Sequence, residues 1–138
     1  MISARVESSR GEHRVTLSTG PSSHRIEIAP KASGFGSSAN GGELLCLAVA
    51  TCYCNDIYRE AAKRSIDVAG VEVRVTAEFG GEGDPARSIS YDVKVSARAD
   101  EEAIGELIAH TDKMAEIHNT LRLGMPVTLA SAKAVRLG

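Results

Sequence analysis

Cysteine is the residue type in this chain that offers the most chemistry, and its three copies are Cys46, Cys52 and Cys54. The thiolate is the nucleophilic form of cysteine, so a reactive cysteine needs neighbours that lower its pKa. In a helix, Cys52 and Cys54 would point to nearly opposite sides, which excludes a disulfide between them. A free cysteine in an apolar stretch is otherwise a small core residue. We interpret Cys46 and Cys54 in this way.

The remaining polar residues give no second catalytic pattern. None of the four histidines forms a recognisable triad with a serine or a cysteine. His118 is a candidate base or hydrogen-bond donor near Cys52, where it would contact a substrate, because imidazole titrates near neutral pH. The alternative is a surface or capping histidine. We expect no metal and no cofactor, since Cys52 and Cys54 would splay as ligands on a helix and no second pair exists.

The bulk composition describes an ordinary globular protein. The 138 residues suit a single domain, 1–138, and 43% of them are hydrophobic. The net charge of −2, the 4% aromatic content and the absence of Trp argue against a nucleic-acid surface. The N-terminus has no apolar stretch, and the longest apolar run, Leu44 to Ala50, is too short for a membrane span. We therefore expect a cytoplasmic protein with neither membrane nor nucleic-acid partners.

Alternating apolar and polar residues predict six strands. Three short stretches before Pro30 indicate an antiparallel meander. Two longer stretches, joined by a glycine-rich turn, indicate a hairpin with one dry face and one wet face. The predicted strands are 2–8, a stretch around 15–17, a stretch around 26–28, 71–79, 89–97 and a last strand that begins at 127–129.

Two helices complete the predicted order βββ-α-ββ-α-β, which is typical of the α+β class. The first covers 42–65 and has Asn40 or Ser38 as its N-cap. Its first part is apolar all round, which predicts a buried central helix, and its polar second part should reach the surface. The second helix begins after Asp100, and Gly124 ends either this helix or its short continuation. One six-stranded sheet and one helix would not cover all sides of the central helix, so a partner subunit is expected to supply the rest.

Two segments of the chain resemble the motifs of the OsmC/Ohr family. The segment NGGELLCLAVATCYC resembles the first motif, a turn into a small-residue helix that carries the reactive cysteine, which falls on Cys52. The segment AEIHNTLRLGMPVTL resembles the second motif, which holds the second cysteine. The resemblance extends over nearly the whole chain. It implies an OsmC-like fold in an intertwined homodimer, with active sites at the interface.

The resemblance also implies which residues act, and the chain departs from the family at several of them. The second, resolving cysteine falls at Ala115 and the following proline at Glu116. The activating glutamate of the first motif falls at Gly42, so Glu43 is the nearest carboxylate.

The activating arginine of the family lies in a variable loop. Lys31 is the nearest cation by spacing, and Arg25 is a looser candidate.

Two functions follow as hypotheses. The first is thiol-dependent reduction of organic hydroperoxides through Cys52, with an external dithiol as the reductant because Ala115 replaces the resolving cysteine. The alternative is a family member without peroxidase activity, which binds a small apolar or thiol ligand in the pocket at the dimer interface.

Overall fold

The computed structural model describes residues 1–138 and contains five strands and three helices. Their mixture confirms the predicted α+β class. The chain packs as two compact units, Met1–Leu47 and Ala48–Gly138, and the single domain stays a prediction. The elements are β1 Ile2–Ser9, β2 Glu12–Thr19, β3 Ser22–Ile26, α1 Gly41–Lys63, β4 Asp67–Phe79, β5 Ala86–Arg98, α2 Glu101–Met114 and α3 Glu116–Leu123.

The unit Met1–Leu47 is built on a three-stranded antiparallel sheet in the order β1-β2-β3. Gly11 and Gly20 lie in its two turns with φ values of 75° and 55°. Glycine adopts this left-handed conformation without the clash that a Cβ would cause. The predicted meander is therefore confirmed.

The unit Ala48–Gly138 contains the predicted hairpin of β4 and β5. Its valines share the half-buried face, where Val71 pairs with Val95 and Val73 with Val93. The five strands form one three-stranded and one two-stranded sheet, so the expected single six-stranded sheet is wrong. Periodicity predicts which residues are in strands, but it does not predict which strands pair.

Within the single chain, α1 is covered mainly along its second half, and the expected cover of its apolar first half by a partner subunit stays a prediction. Leu47, in its apolar first half, is 56% exposed, whereas Tyr53, Ile57 and Ala61 farther along are buried. These three residues form the core of the second unit with Leu107 of α2, and valines of the hairpin pack against them. The hairpin and α2 follow α1 in the chain and cover the later part of the helix.

The C-terminal part of the chain differs from the prediction in one element. Asp100 caps α2 by accepting a hydrogen bond from the backbone N–H of Ala103 at 2.8 Å, and α3 ends at Gly124 in the left-handed conformation. Residues 125–138 have no regular structure, so the predicted last strand is wrong for the single chain. A strand needs a neighbour for its backbone hydrogen bonds, and β1 to β5 pair only among themselves. No helix in the structure is both long enough and apolar enough to span a membrane.

Candidate active site

Cys52 lies on one face of α1 together with Asp56 and Arg59. These residues are four and seven positions farther along the helix, and both spacings return to the same face. The Sγ atom of Cys52 is 3.5 Å from Oδ2 of Asp56 and 3.9 Å from Oε2 of Glu116. Glu116 is the first residue of α3. The start of α3 and this face of α1 therefore bring two carboxylates to one sulfur.

Arg59 holds both carboxylates. Its Nη1 atom is 2.7 Å from Oε1 of Glu116 and 3.1 Å from Oδ1 of Asp56. Its Nε atom is 2.8 Å from Oε2 of Glu60. The guanidinium group thus pairs with three carboxylates at once, including the two that contact the sulfur.

Glu60 anchors this group of charges from inside the protein. It is only 2% exposed, and Lys63 and His110 also contact it, at 3.0 and 2.9 Å. Hydrogen bonds from Arg59, Lys63 and His110 lower the pKa of Glu60 to about 2. A buried carboxylate is tolerated only when it is paired in this way. Glu60 therefore fixes the position of Arg59.

The electrostatics favour the protonated thiol of Cys52. Burial is the main cause that raises the pKa of Cys52 above 9.0, and the charges of Asp56 and Glu116 add to it. The backbone N–H of Ile117 acts in the opposite direction. Burial, and then Glu116, raise the pKa of Asp56. Asp56 is thus the carboxylate better suited to accept the thiol proton.

A metal ion would have to compete with Arg59 for this site. The sulfur of Cys52 and one oxygen each of Asp56 and Glu116 lie within 4.8 Å of one another, a spacing that three metal ligands can have. Both carboxylates are, however, already in ion pairs with Arg59. We assign no metal, and its absence stays a prediction.

The other residues predicted for the site have different surroundings. Glu43 forms a capping box at the start of α1: its Oε1 accepts from the N–H of Asn40 at 2.9 Å, and its own N–H donates to Oδ1 of Asn40 at 2.8 Å. Asn40 is therefore the N-cap. Arg25 lies on β3, and Lys31 lies in the loop that follows. The roles of Glu43, Arg25 and Lys31 at Cys52 stay predictions.

His118 is buried beside two tyrosine rings. The centroid of its ring is 4.7 Å from that of Tyr91 and 5.8 Å from that of Tyr53. Burial lowers the pKa of His118, so the imidazole is neutral at pH 7. Its predicted contact with a substrate stays a prediction.

Sequence reasoning missed Asp56, Arg59 and Glu60 as neighbours of the candidate site. The signal was available for the first two, because their spacing from Cys52 places them on its helix face. Glu116 was recognised only as the residue that replaces a proline. Its approach to Cys52 depends on the packing of α3, which no local pattern encodes.

Comparisons with known proteins agree with this architecture. The family model described as OsmC-like protein matches residues 34–130. The crystal structure of an OsmC-like protein from Mycoplasma pneumoniae is 20% identical, with 88% of this chain and 87% of that chain covered and a TM-score of 0.65. The organic hydroperoxide resistance protein OhrB of Bacillus subtilis is 18% identical, with 90% and 92% covered and a TM-score of 0.54. These likenesses show the fold.

A third solved structure, a putative osmotic stress induced and detoxification response protein from Psychrobacter arcticus, is 19% identical. The match covers 87% of this chain and 88% of that chain, with a TM-score of 0.63. No curated protein matches the chain.

Proposed function

The chain belongs to the OsmC-like protein family, and from this premise we propose that it reduces organic hydroperoxides with Cys52 as its one redox-active cysteine. The observation that carries the proposal is the contact of the Cys52 sulfur with Asp56 and Glu116. Cys46 and Cys54 make no such polar contact, although both are partly exposed. The hydroperoxide resistance function of the Bacillus subtilis relative supports the same substrate class.

The chemistry begins with the proton of the Cys52 thiol, which passes to the carboxylate of Asp56. The sulfur then attacks the terminal oxygen of the hydroperoxide, so that an S–O bond forms while the O–O bond breaks. The departing alkoxide takes the proton from Asp56 and leaves as the alcohol. Cys52 is oxidised to a sulfenic acid, and the hydroperoxide is reduced. Arg59 stays charged and keeps both carboxylates in place.

An external dithiol completes the cycle, because Ala115 stands where the family has its second cysteine. One thiol of the reductant attacks the sulfenic sulfur and water leaves, which gives a mixed disulfide. The second thiol attacks this disulfide and releases Cys52 as the thiol. Such a cycle needs a reducing compartment, and we therefore place the protein in the cytoplasm.

A fast reaction requires a further positive charge near the sulfur. Because the pKa of Cys52 is raised, a smaller share of its thiol is ionised at pH 7 than in an unperturbed cysteine. Arg59 is shared among three carboxylates and contributes little additional charge. We propose that Lys31 or Arg25, oriented by Glu43, supplies the charge in the assembled protein.

The assembly that we propose is an intertwined homodimer. Leu47 on α1 is 56% exposed, and Val127 and Leu129 in the C-terminal segment are 101% and 85% exposed. Burying apolar surface is worth about 25 cal/mol per Å². A second copy of the chain would cover these side chains and offer strand edges to the C-terminal segment.

The direct test measures consumption of tert-butyl hydroperoxide with dihydrolipoamide as the dithiol. We expect Cys52→Ser to abolish consumption, while Cys46→Ser and Cys54→Ser retain it. Unfolding curves of the three variants control for folding. Equal activity of Cys52→Ser and the unmodified protein would refute the proposal.

The raised pKa of Cys52 favours a second candidate function, in which the protein binds a small apolar or thiol ligand without reducing it. The two functions differ in the pH dependence of Cys52 alkylation, followed in a variant with Cys46→Ser and Cys54→Ser. A thiol with a raised pKa reacts faster with each step in pH and does not level off below pH 9, which favours binding. A rate that levels off below pH 7 indicates an activated thiolate and favours the peroxidase.

A further inference from the structure

A half-open cavity of about 90 Å³ lies between α1, β5 and α3 in the second unit. Its walls are mainly apolar, and the Cys52 side chain does not line it. The lining residues are Val49, Ile89, Tyr91, His118, Leu121 and Arg122.

His118 brings unused hydrogen-bonding capacity to this cavity. The residue is only 5% exposed, and neither Nδ1 nor Nε2 has a partner. The neighbouring hydroxyl groups are engaged elsewhere, since Tyr53 donates to the carbonyl oxygen of Ile108 at 2.7 Å and Tyr91 donates to Asp112. A buried polar group without a partner is unfavourable and is rare in native proteins. A ligand that pairs with one of these nitrogens would remove part of this deficit.

The cavity has no net charge that would select an ion. Arg122 is the only charged residue in its lining, and its Nη2 atom is 2.8 Å from Oδ1 of Asp112. Its Nη1 atom also donates to the carbonyl oxygen of Asp112 at 3.0 Å. Burial keeps His118 neutral by lowering its pKa. Transfer of an ion into such surroundings would cost its hydration without a compensating partner.

We propose that the cavity beside His118 binds a small uncharged molecule that carries one hydroxyl group on a short aliphatic body. A neutral imidazole has one donor and one acceptor nitrogen, and the hydroxyl group of the ligand would donate to the acceptor nitrogen. The aliphatic part would contact Val49, Ile89 and Leu121. Benzene, with six heavy atoms, fills an engineered apolar cavity of about 150 Å³. By proportion, the cavity of about 90 Å³ beside His118 holds roughly four heavy atoms, and its open side admits a longer chain.

Water alone satisfies this site less well than such a ligand. A buried water usually makes about three hydrogen bonds. Here the hydroxyl of Tyr91 and the guanidinium of Arg122 are already paired with Asp112, so His118 is the main group left for it. A molecule with one hydroxyl group and an apolar body matches the lining more closely.

The test is an NMR titration of the ¹⁵N-labelled chain, which follows the imidazole nitrogens of His118. The probes are 1-butanol and its isomer diethyl ether, which has the same atoms but no hydroxyl proton. We expect a saturable shift of the His118 signals with 1-butanol and binding of the ether that is weaker by about fivefold, the usual worth of one neutral hydrogen bond. Cys52→Ser should bind 1-butanol equally well, so the result does not depend on the proposed peroxidase activity.

Two variants serve as controls. His118→Phe keeps an aromatic ring but removes both nitrogens, and it should lose the preference for the alcohol over the ether. His24→Phe, at an exposed position on β3, should retain it. The absence of a saturable shift with 1-butanol, or equal binding of alcohol and ether, would overturn the proposal and leave the cavity to water. Should His118→Phe not fold, the alcohol-to-ether ratio of the unmodified chain decides alone.

Discussion

At the scale of single residues, the reactivity of Cys52 depends on which charges surround its sulfur. Burial raises its pKa most, and the charges of Asp56 and Glu116 add to this effect. Arg59 pairs with both carboxylates. The sequence singled out Cys52 through a motif, but it did not reveal these neighbours. Motifs preserve the identity of a reacting atom, whereas its electrostatic surroundings depend on tertiary packing.

Replacing Asp56 should make Cys52 more reactive towards alkylating agents. In Asp56→Asn a negative charge 3.5 Å from the sulfur is removed while the shape of the side chain is kept, so the pKa of Cys52 should fall. The measurement is the rate of iodoacetamide modification at pH 7, followed by mass spectrometry. Asp92→Asn, at an exposed position on β5, is the matched control and should react at the unmodified rate. An unchanged or slower rate in Asp56→Asn would contradict the electrostatic account.

A cysteine placed at position 115 should restore the missing second thiol. Ala115 belongs to the core cluster against which Cys52 packs, and the next residue, Glu116, reaches the Cys52 sulfur. We expect Ala115→Cys to form a disulfide with Cys52 after one equivalent of hydroperoxide, detected as a linked pair of peptides. Ala115→Ser controls for the change in size and should give none. If Ala115→Cys is oxidised without forming this link, position 115 does not face the sulfur.

At the scale of elements, alternation predicted β1 to β5, and the apolar run between an N-cap and basic residues predicted α1. The polar second half of α1 was expected at the surface, which is wrong for two of its residues, whereas burial of the apolar first half by a partner stays a prediction. The polar residues Asp56 and Glu60 were expected at the surface. Their burial is tolerated because Arg59 pairs with Asp56, and Lys63 and His110 pair with Glu60. A single-residue hydropathy pattern does not contain these pairs.

The packing of α2 on α1 should dominate the stability of the second unit. Leu107 is fully buried with Tyr53 and Ile57, and its truncation in Leu107→Ala should cost about 2–5 kcal/mol of unfolding free energy. Urea unfolding followed by circular dichroism measures this change. Glu106→Ala, the exposed neighbour on the same helix, should stay within about 0.5 kcal/mol. A similar cost for both variants would argue against the described core.

At the scale of the whole molecule, the single chain leaves many large apolar side chains exposed to solvent. Leu123, Val135 and Leu137 are exposed in addition to Leu47 and the residues around Val127. The predicted last strand also depends on the assembly of the whole molecule. Its alternation is present in the sequence, but the strand it would pair with is not supplied by the chain itself.

A charge on the apolar first half of α1 should weaken the proposed dimer. In Leu47→Glu a carboxylate would have to be buried on association, which should raise the dimer dissociation constant by at least about tenfold. Sedimentation equilibrium measures this constant. Glu102→Lys, on the exposed face of α2, changes the net charge of the protein but leaves the apolar surface as it is, so it should leave association unchanged. A monomeric unmodified protein would contradict the assembly itself.

The central claim is that hydroperoxide oxidises one sulfur, that of Cys52. Trapping with dimedone after one equivalent of tert-butyl hydroperoxide, followed by peptide mass spectrometry, locates the sulfenic acid directly. The account predicts the adduct on Cys52, with Cys46 and Cys54 unmodified. An adduct on either of those cysteines, or no adduct while hydroperoxide is consumed, would contradict it.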